Sequence, residues 1–557
     1  MLPSTGQHRP VANARLLAAQ QLQPCLSIPH TPQRLRCKAV LKASHRPCSQ
    51  PAAAQLPQPC LAAAAPQRPQ RLQRSVAARA AAADMGGSHS IDLSSSWSMP
   101  RRLQQLLKPS KYDAELLHLA VPALAAMMLE PLMNVLSAAF MGHLGTKQLG
   151  AVSLASLATS LATYVFSFLV FLTTPRVAAA HANGDSKTVN RLAAVGLWLA
   201  LGTGLLVAVS LSFSAEAIVH ALNPPEPEVS AYAVQYITVR SWGILAAMLG
   251  FVASGTYRGV KDTRTPLNAA IGAALTHITL TPLFILGFDW GVAGAALAAT
   301  ISQWVSCVML LSLMFKRQLL HAADLLQPPR WHEVSPYLWK GAVLALRMVV
   351  TFGMVMFASA ICVRAGAASQ AAFEIIRQVW IISITFFESL NVATQAMAAG
   401  FLGRHDRTSA REVLQRALHL SCFAGLILGL LLFAWRGPLV GLFTKDAAVA
   451  LLGGAVMPVI ALCMPIDAGA SIMDGGLIAA GQTNALSVVQ VAGSLVQYAV
   501  LAVLVSRGYD SVAYVWGVLK VLSLARLSGG YWLHFVSGGS AYLHRGGVSS
   551  PQQQQQQ

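Results

Sequence analysis

Twelve long apolar segments follow one another along this chain, and they limit its fold more than any other feature. Each is near or above the roughly 20 residues that a helix needs to cross the hydrocarbon core of a bilayer. Twelve such helices cannot all be buried in one water-soluble domain. We therefore predict an all-α integral membrane protein with spans at residues 115–141, 149–181, 190–213, 229–257, 266–288, 291–315, 337–363, 369–401, 411–434, 447–480, 484–506 and 510–535.

The composition agrees with this class. Of the 557 residues, 55% are hydrophobic and 11% are charged, which is typical of a polytopic membrane protein. The net charge of +19 would suggest nucleic-acid binding, but eleven of the cations lie in residues 1–83, where there is no Asp or Glu. This acid-poor segment is typical of an organelle transit peptide, so we predict no nucleic-acid partner.

We assign residues 1–84 to a disordered plastid transit peptide. A plastid is favoured over a mitochondrion because the many prolines would interrupt the amphipathic helix of a mitochondrial presequence. A disordered basic tail is the alternative interpretation. At the other end of the chain, residues 536–557 are predicted to form a disordered Gln-rich tail.

Three pairs of short segments recur at an offset of about 220 residues and indicate a duplicated half. They are Gly145 with Gly366, 182–185 with 403–406, and 260–263 with 481–483. Six crossings return the chain to its starting side, so both halves should have the same orientation. We predict two six-helix lobes at 112–315 and 337–535, joined by a surface linker at 316–336.

The cations outside the spans are distributed unevenly between the two membrane faces. Eighteen lie on the side of both termini and five on the opposite side. By the positive-inside rule the termini and the linker should face the cytosol or, after import into a plastid, the stroma.

Several motifs in the first half resemble the multidrug and toxic compound extrusion (MATE) family, in particular the branch with bacterial DNA-damage-inducible transporters and plant plastid members. They are Glu130-Pro131-Leu132, the segment 140–145, the polar bridge 258–266 and the segment 290–296. Gln395, the loop around Asp406 and Asp474-Gly475 agree in the second half. The resemblance implies a V-shaped pair of lobes, alternating access and efflux driven by a proton or sodium gradient.

Two positions depart from the pattern of the family. Ser137 and Thr281 stand where many relatives have Asp. Ser137 cannot titrate, so the resemblance implies that Glu130 substitutes for the missing acid or that ion coupling lies in the second lobe.

Carboxylates within the spans are the candidates for ion coupling, because a charge near the bilayer centre is costly unless it faces a cavity or a partner. We select Glu388, Glu130, Asp474 and Glu374. Glu388 has no basic residue at i±3 or i±4 and should line the cleft. The alternatives are a structural pair of Glu374 with Arg377, and a capping or bracing role for Asp474 at an unwound end of the tenth helix.

Other polar residues within the spans are candidates for solute binding. They are Arg240, Asn134, Asn391, Gln395 and His277. Arg240 could attract an anionic solute, although a structural pair with an acid is favoured. His277 is favoured as a hydrogen-bonded packing residue over a proton relay. The amide side chains could instead satisfy backbone groups at helix kinks.

These observations predict a monomeric antiporter in the chloroplast envelope that exports a small organic solute, such as an organic anion or a xenobiotic, in exchange for protons or sodium. No phosphate-binding loop, Cys-x-x-Cys pair or His-rich spacing occurs in the chain, so we expect no enzyme activity, cofactor or metal. A lipid-linked precursor flippase would need a groove with clustered cations, and the cations within the spans are scattered in the sequence. A non-transporting membrane scaffold is the third alternative, motivated by Ser137 and Thr281.

Overall fold

The protein is described here by a computed structural model, covering residues 109–222 and 226–536. Twelve helices in these ranges are long and apolar enough to span a membrane, which confirms the predicted fold class. We label these spans α1 to α12. They are α1 (Asp113–Leu144), α2 (Thr146–Phe166 and Phe168–Ala182), α3 (Ser186–Leu222), α4 (Pro227–Gly259), α5 (Arg264–Pro282), α6 (Gly291–Lys316), α7 (Trp331–Arg364), α8 (Ala367–Gly403), α9 (Arg407–Ala434), α10 (Ala447–Ala479), α11 (Thr483–Ser506) and α12 (Val512–Tyr531).

Most helices extend a few residues beyond the apolar segments that predict them, because polar first turns can be capped at the membrane surface. The largest difference is at α3, which ends at Leu222 and not at residue 213. At α7 the helix begins at Trp331 and not at residue 337. A carboxylate oxygen of Glu333 accepts a hydrogen bond from the backbone N–H of Arg330 at 2.8 Å and closes the first turn. The predicted linker 316–336 is therefore too long. It contains one short helix, Ala322–Leu326.

Irregular backbone occurs at a few points inside the spans. The second span bends at Ser167, whose hydroxyl donates to the Tyr164 carbonyl at 2.7 Å. Segments of π-helix, Leu283–Gly287 and Trp532–Val536, follow α5 and α12. Such breaks are tolerated in a membrane where side chains or neighbouring helices satisfy the freed backbone groups. The bend at Ser167 lies beside the main cavity described below.

The duplicated anchors have matching backbone conformations. Gly145 and Gly366 precede α2 and α8 with φ/ψ of 144/166° and 120/165°. Gly184 and His405 follow the same two helices with φ of 72° and 61°, and the last anchor pairs Lys261 at 62° with Gly481 at 70°. Positive φ is unusual for residues other than glycine. Its recurrence at equivalent turns supports the predicted duplication.

The two six-helix halves meet on the side of the termini. The amide nitrogen of Asn183, after α2, donates to the carbonyl of Gly403 at 3.0 Å, and Arg404, after α8, donates back to the carbonyl of Ala182 at 2.8 Å. A β-carbon added at Gly403 would lie 2.6 Å from the Ala179 Cα, so this glycine allows the helices to approach. This reciprocal contact joins the two halves at the ends of α2 and α8.

Candidate functional site

The main cavity has a volume of about 330 Å³ and lies mainly in the second half, in the middle part of the spans. This volume is within the range of sites that hold drug-sized molecules. Its charged side chains come from α7, α8, α10 and α12, and α2 contributes Tyr164, Ser167 and Phe171 at its bend. The acidic and basic residues on its wall are Arg347, Arg377, Glu388, Asp467, Asp474, Lys520 and Arg526.

Two carboxylates of α10 face two cations of α12. Asp467 and Asp474 are seven residues apart, so they lie on one face of the helix about two turns apart. Lys520 Nζ donates to Asp467 Oδ2 at 2.6 Å, and Arg526 Nη2 donates to Asp474 Oδ2 at 2.8 Å. The helix is continuous through Asp474, so the alternative that this residue caps an unwound helix end is wrong.

A third cation, Arg347 of α7, also approaches Asp474. Its Nη1 lies 4.0 Å from Asp474 Oδ2 and donates to the side-chain oxygen of Gln490 at 2.9 Å. Arg347 is only 4% exposed. Asp474 is therefore held between two guanidinium groups. Removing such a carboxylate would leave buried charges without compensation.

Glu388 is the exception among the cavity carboxylates. Its two oxygens accept hydrogen bonds from Asn391 Nδ2 and Ser471 Oγ, both at 2.9 Å. Gln395 Nε2 donates to Asn391 Oδ1 at 2.9 Å and orients the Asn391 amide. Within the described ranges, no lysine or arginine nitrogen lies within the 4.0 Å limit of an ion pair with Glu388. Glu388 thus lines the cavity as expected and is held by neutral donors.

Glu374 and Arg377 form an ion pair one turn apart on α8, with 2.7 Å between Arg377 Nη2 and Glu374 Oε2. This geometry is the structural pair that the sequence offered as an alternative to ion coupling. Arg377 lines the cavity. The pair is partly exposed, and its net contribution to the free energy of unfolding should be small.

The predicted site residues of the first half lie apart from this cavity. Arg240 donates to Gln303 Oε1 at 2.5 Å, and His277 Nε2 lies 2.7 Å from Ser137 Oγ. Within the described ranges Arg240 makes no ion pair with an acid, so the favoured structural pair is replaced by an amide contact. His277 has the hydrogen-bonded packing arrangement that the sequence favoured.

Glu130 and Asn134 are exposed on α1, one turn apart. Neither lines the main cavity. Ion coupling by Glu130 and solute binding by Asn134 stay predictions.

Four important side chains of the cavity were not selected from the sequence. They are Arg347, Asp467, Lys520 and Arg526. The spacing of Asp467 and Asp474 was a usable signal, because residues seven apart share a helix face. The cations within the spans seemed scattered in the sequence, but four of them, including Arg377, converge on one cavity. The sequence alone does not reveal this convergence, because it depends on which helices face one another.

A second, smaller pocket of about 160 Å³ lies where α2, α4 and α8 end on the side of the termini. It is lined by cationic side chains such as Lys261 and Arg404 and by no carboxylate. The larger cavity is therefore the one of the two that is lined by carboxylates. Across the described ranges, no group of three or more His, Cys, Asp or Glu residues could hold a metal ion.

Comparisons with known proteins agree with this architecture. The chain is 26% identical over 433 residues to Protein DETOXIFICATION 44, chloroplastic, of Arabidopsis thaliana, covering 76% of this chain and 82% of that protein. It is 28% identical over 378 residues to the probable multidrug resistance protein NorM of Thermotoga maritima, covering 66% of this chain and 80% of that protein.

Solved structures show the same fold. A transporter of the MOP superfamily from Pyrococcus furiosus, characterised by a binding pocket of reverse polarity, superposes with a TM-score of 0.71 at 18% identity. The superposition covers 80% of this chain and 98% of that one. The family model named MatE matches this chain twice, at residues 122–283 and 344–504, once in each half. This chain belongs to the MatE family of membrane transporters.

Proposed function

We propose that this protein is a secondary active antiporter that works by alternating access. It would move a small organic solute through the main cavity in exchange for protons. The observation that carries the proposal is the setting of Glu388. Asp467 and Asp474 each accept a hydrogen bond from a cation, whereas in the described ranges Glu388 accepts its hydrogen bonds from the neutral side chains Asn391 and Ser471. Arg347 and Arg526 act on Glu388 only from beyond ion-pair distance. A cavity carboxylate that is not bonded to a cation is the group that can take up and release a proton.

The chemistry of this site favours protons over sodium. A hard cation needs several oxygen ligands. Glu388 supplies a carboxylate and Ser471 a hydroxyl, but Asn391 Oδ1 already accepts from Gln395. The other cavity carboxylates are bonded to nitrogen cations. The site therefore offers few free oxygens to a metal ion and one clear site for a proton.

The charge balance of the cavity restricts the solute of a proton antiporter. The four cations of the cavity are balanced by Glu374, Glu388, Asp467 and Asp474. A proton on Glu388 would give this group a net positive charge, which repels a cation and attracts an anion. Antiport needs the proton and the solute to disfavour each other. Exchange at Glu388 therefore favours a cationic or neutral solute, whereas an organic anion would bind together with the proton.

One observation supports the alternative of a lipid-linked precursor flippase, and another opposes it. Cations do converge in the cavity, contrary to their scattered appearance in the sequence. However, Arg377, Lys520 and Arg526 each have a carboxylate partner. A headgroup with phosphates would have to break these pairs. This balance favours the antiporter.

We also propose that the protein resides in the chloroplast envelope as a monomer, with its termini and linker in the stroma. Residues 1–84 lie outside the described ranges, so this proposal rests on their composition and on the chloroplastic name of the Arabidopsis relative. A fusion of residues 1–84 to a fluorescent protein should be imported into isolated chloroplasts and shortened. If the protein without residues 1–84 were still imported normally, the assignment of a transit peptide would be wrong.

Transport can be tested with the full-length protein in lipid vesicles, with ethidium as a cationic probe and citrate as an anionic probe. An imposed pH gradient at equal sodium should drive ethidium against its concentration gradient. A sodium gradient at equal pH should not. Flux driven only by sodium would refute proton coupling, and citrate movement in the same direction as the protons would refute antiport. Absence of flux for a wide panel of solutes would favour the scaffold.

A further inference from the structure

Three buried side chains on the α10, α11 and α12 wall of the cavity each present a polar atom without a hydrogen-bond partner in the described ranges. These atoms are Asp467 Oδ1, Gln497 Oε1 and Trp516 Nε1. The residues are 6%, 1% and 1% exposed, and all three line the cavity. Leaving such atoms unpaired is costly. Three of them on one wall indicate a site that receives polar atoms from a bound molecule.

Hydrogen bonds elsewhere on two of these side chains hold the unpaired atoms in place. Asp467 Oδ2 accepts from both Lys520 Nζ at 2.6 Å and Trp380 Nε1 at 2.9 Å, which leaves Oδ1 free. The amide nitrogen of Gln497 donates to the Leu519 carbonyl of α12 at 2.7 Å, which leaves Oε1 free. Asp467 and Gln497 are thus each fixed through one atom and keep a second, buried atom without a partner in the described ranges.

The surroundings of these atoms are aromatic and carry no net charge. The Trp516 ring lies between those of Phe373 and Trp380, with centroid distances of 5.4 and 5.8 Å. Lys520 Nζ lies 4.7 Å from the Trp380 ring centroid, and its charge is balanced by Asp467. Flat aromatic walls favour planar solutes, and the local neutrality gives no preference for an ion.

We infer that Asp467, Gln497 and Trp516 form a second subsite of the cavity, which binds an uncharged planar group that carries one hydrogen-bond donor and one acceptor. The donor would be received by Asp467 Oδ1 or Gln497 Oε1, and the acceptor by the Trp516 N–H. A lactam or a heteroaromatic amide has this chemistry. The inference rests on the proposed function, since it assigns proton exchange to Glu388 and selection of the solute body to this subsite.

Acridone and xanthone provide a matched pair of probes. Both are planar, uncharged three-ring ketones, and xanthone has a ring oxygen in place of the acridone N–H. Acridone binding to the purified full-length protein would be measured by its fluorescence, and xanthone binding by displacement of acridone. A hydrogen bond of ordinary net strength should make the acridone affinity about fivefold higher. Equal affinities would overturn the subsite, because they would mean that no protein atom receives the N–H.

Trp516→Phe tests the other hydrogen bond. It removes the N–H donor and keeps an aromatic ring, so acridone affinity should fall about fivefold. Trp435→Phe, at an exposed tryptophan outside the cavity, is the control and should leave the affinity unchanged. Unaltered acridone affinity in folded Trp516→Phe would refute the assigned donor. If this variant does not fold, the comparison of acridone with xanthone on the unmodified protein still decides the proposal.

Glu388→Gln separates this inference from the proposed function. In Glu388→Gln the ratio of acridone affinity to xanthone affinity should stay within about twofold of the wild-type ratio, because any effect of Glu388 on solute binding acts alike on both uncharged probes. Loss of this ratio would place the acridone N–H at Glu388 and contradict a separate subsite. If the affinity pattern holds but vesicles show no flux driven by a pH gradient, the antiporter proposal fails and the subsite stands. If vesicles show flux driven by a pH gradient but acridone and xanthone bind with equal affinity, the subsite fails and the antiporter proposal stands.

Discussion

Glu388 of α8 and Ser471 of α10 are joined by a hydrogen bond of 2.9 Å in the wall of the main cavity. Among the residues that the structure describes, Glu388 is the cavity carboxylate without an ion pair, and this bond links it to the helix that carries Asp467 and Asp474. If Glu388 exchanges protons as proposed, a change of its charge would act directly on α10 through this hydrogen bond.

Glu388→Gln should abolish flux driven by a pH gradient while preserving protein abundance, because it removes a titratable group and keeps the shape. Glu216→Gln is the matched control in the first half, at an exposed carboxylate of α3 that lies outside the cavity and is not a candidate for ion coupling. We expect the first variant to lose at least about tenfold in initial rate and the control to lose little. Flux of Glu388→Gln that stays dependent on pH between 6 and 8 would exclude the role, and loss in Glu130→Gln would move coupling to α1.

Ser471→Ala should slow transport driven by a pH gradient. The change removes the hydroxyl that donates to Glu388, so one of the two carboxylate oxygens loses its hydrogen bond and the side chain is held less firmly. We expect the initial rate to fall about fivefold. Ser528→Ala on α12, an exposed serine that bonds only to backbone of its own helix, serves as the control. Equal initial rates for both variants would contradict the coupling of Ser471 to Glu388.

Asp474→Asn should destabilise the protein far more than Glu374→Gln does. The first change leaves the buried Arg347 and the partly buried Arg526 beside a neutral amide, at a cost of about 3–5 kcal/mol. The second breaks a partly exposed pair on one helix, worth at most about 1 kcal/mol. Thermal unfolding in detergent measures both. A midpoint for Asp474→Asn equal to that of Glu374→Gln would refute the structural importance of the buried cluster.

Gly403→Ala should weaken the contact between α2 and α8. The added methyl group would lie 2.6 Å from Ala179 Cα, and backbone atoms cannot yield as a flexible side chain can. Overpacking of this kind costs about 1–3 kcal/mol. Gly150→Ala, where a β-carbon meets nothing within 4 Å, should be neutral or slightly stabilising because alanine favours a helix. Thermal unfolding midpoints that rank these two variants in the reverse order would contradict the close approach.

At acid pH, Asp262 should no longer contribute to the free energy of unfolding. Burial raises the pKa of this loop carboxyl, but hydrogen bonds from Thr265 and the Arg317 guanidinium outweigh burial and hold the pKa below its usual value. The stabilisation is thus present above the unfolded-state pKa of about 4 and is lost as the pH falls through the lower folded-state value. The difference in unfolding midpoint between wild type and Asp262→Asn should shrink from pH 7 to pH 3. A constant difference would contradict this assignment.

Local patterns in the sequence were sufficient for several features of the fold. The glycine at 145 and its counterpart at 366 indicated a duplication, and the backbone conformations at both positions agree with it. Helix ends were less accurate, because capping by residues such as Glu333 extends a helix beyond its apolar part. Hydropathy reports burial in lipid and gives no information on polar first turns.

The candidate site was predicted only in part. Glu388 and Asp474 were selected because any carboxylate within a span is informative. Lys520 and Asp467, 53 residues apart, could not be recognised as partners, because their separation in sequence does not fix their distance in space. The same applies to Arg347 of α7 and Gln490 of α11.

The sequence by itself determined the number of membrane crossings and the repetition of the halves, because a helix in lipid must satisfy its own backbone and present about 20 apolar residues. Only the tertiary structure decided which buried charges neutralise one another and which carboxylate is left without a cation. That outcome depends on the rotation and packing of helices such as α8, α10 and α12, which bring together side chains from distant parts of the chain.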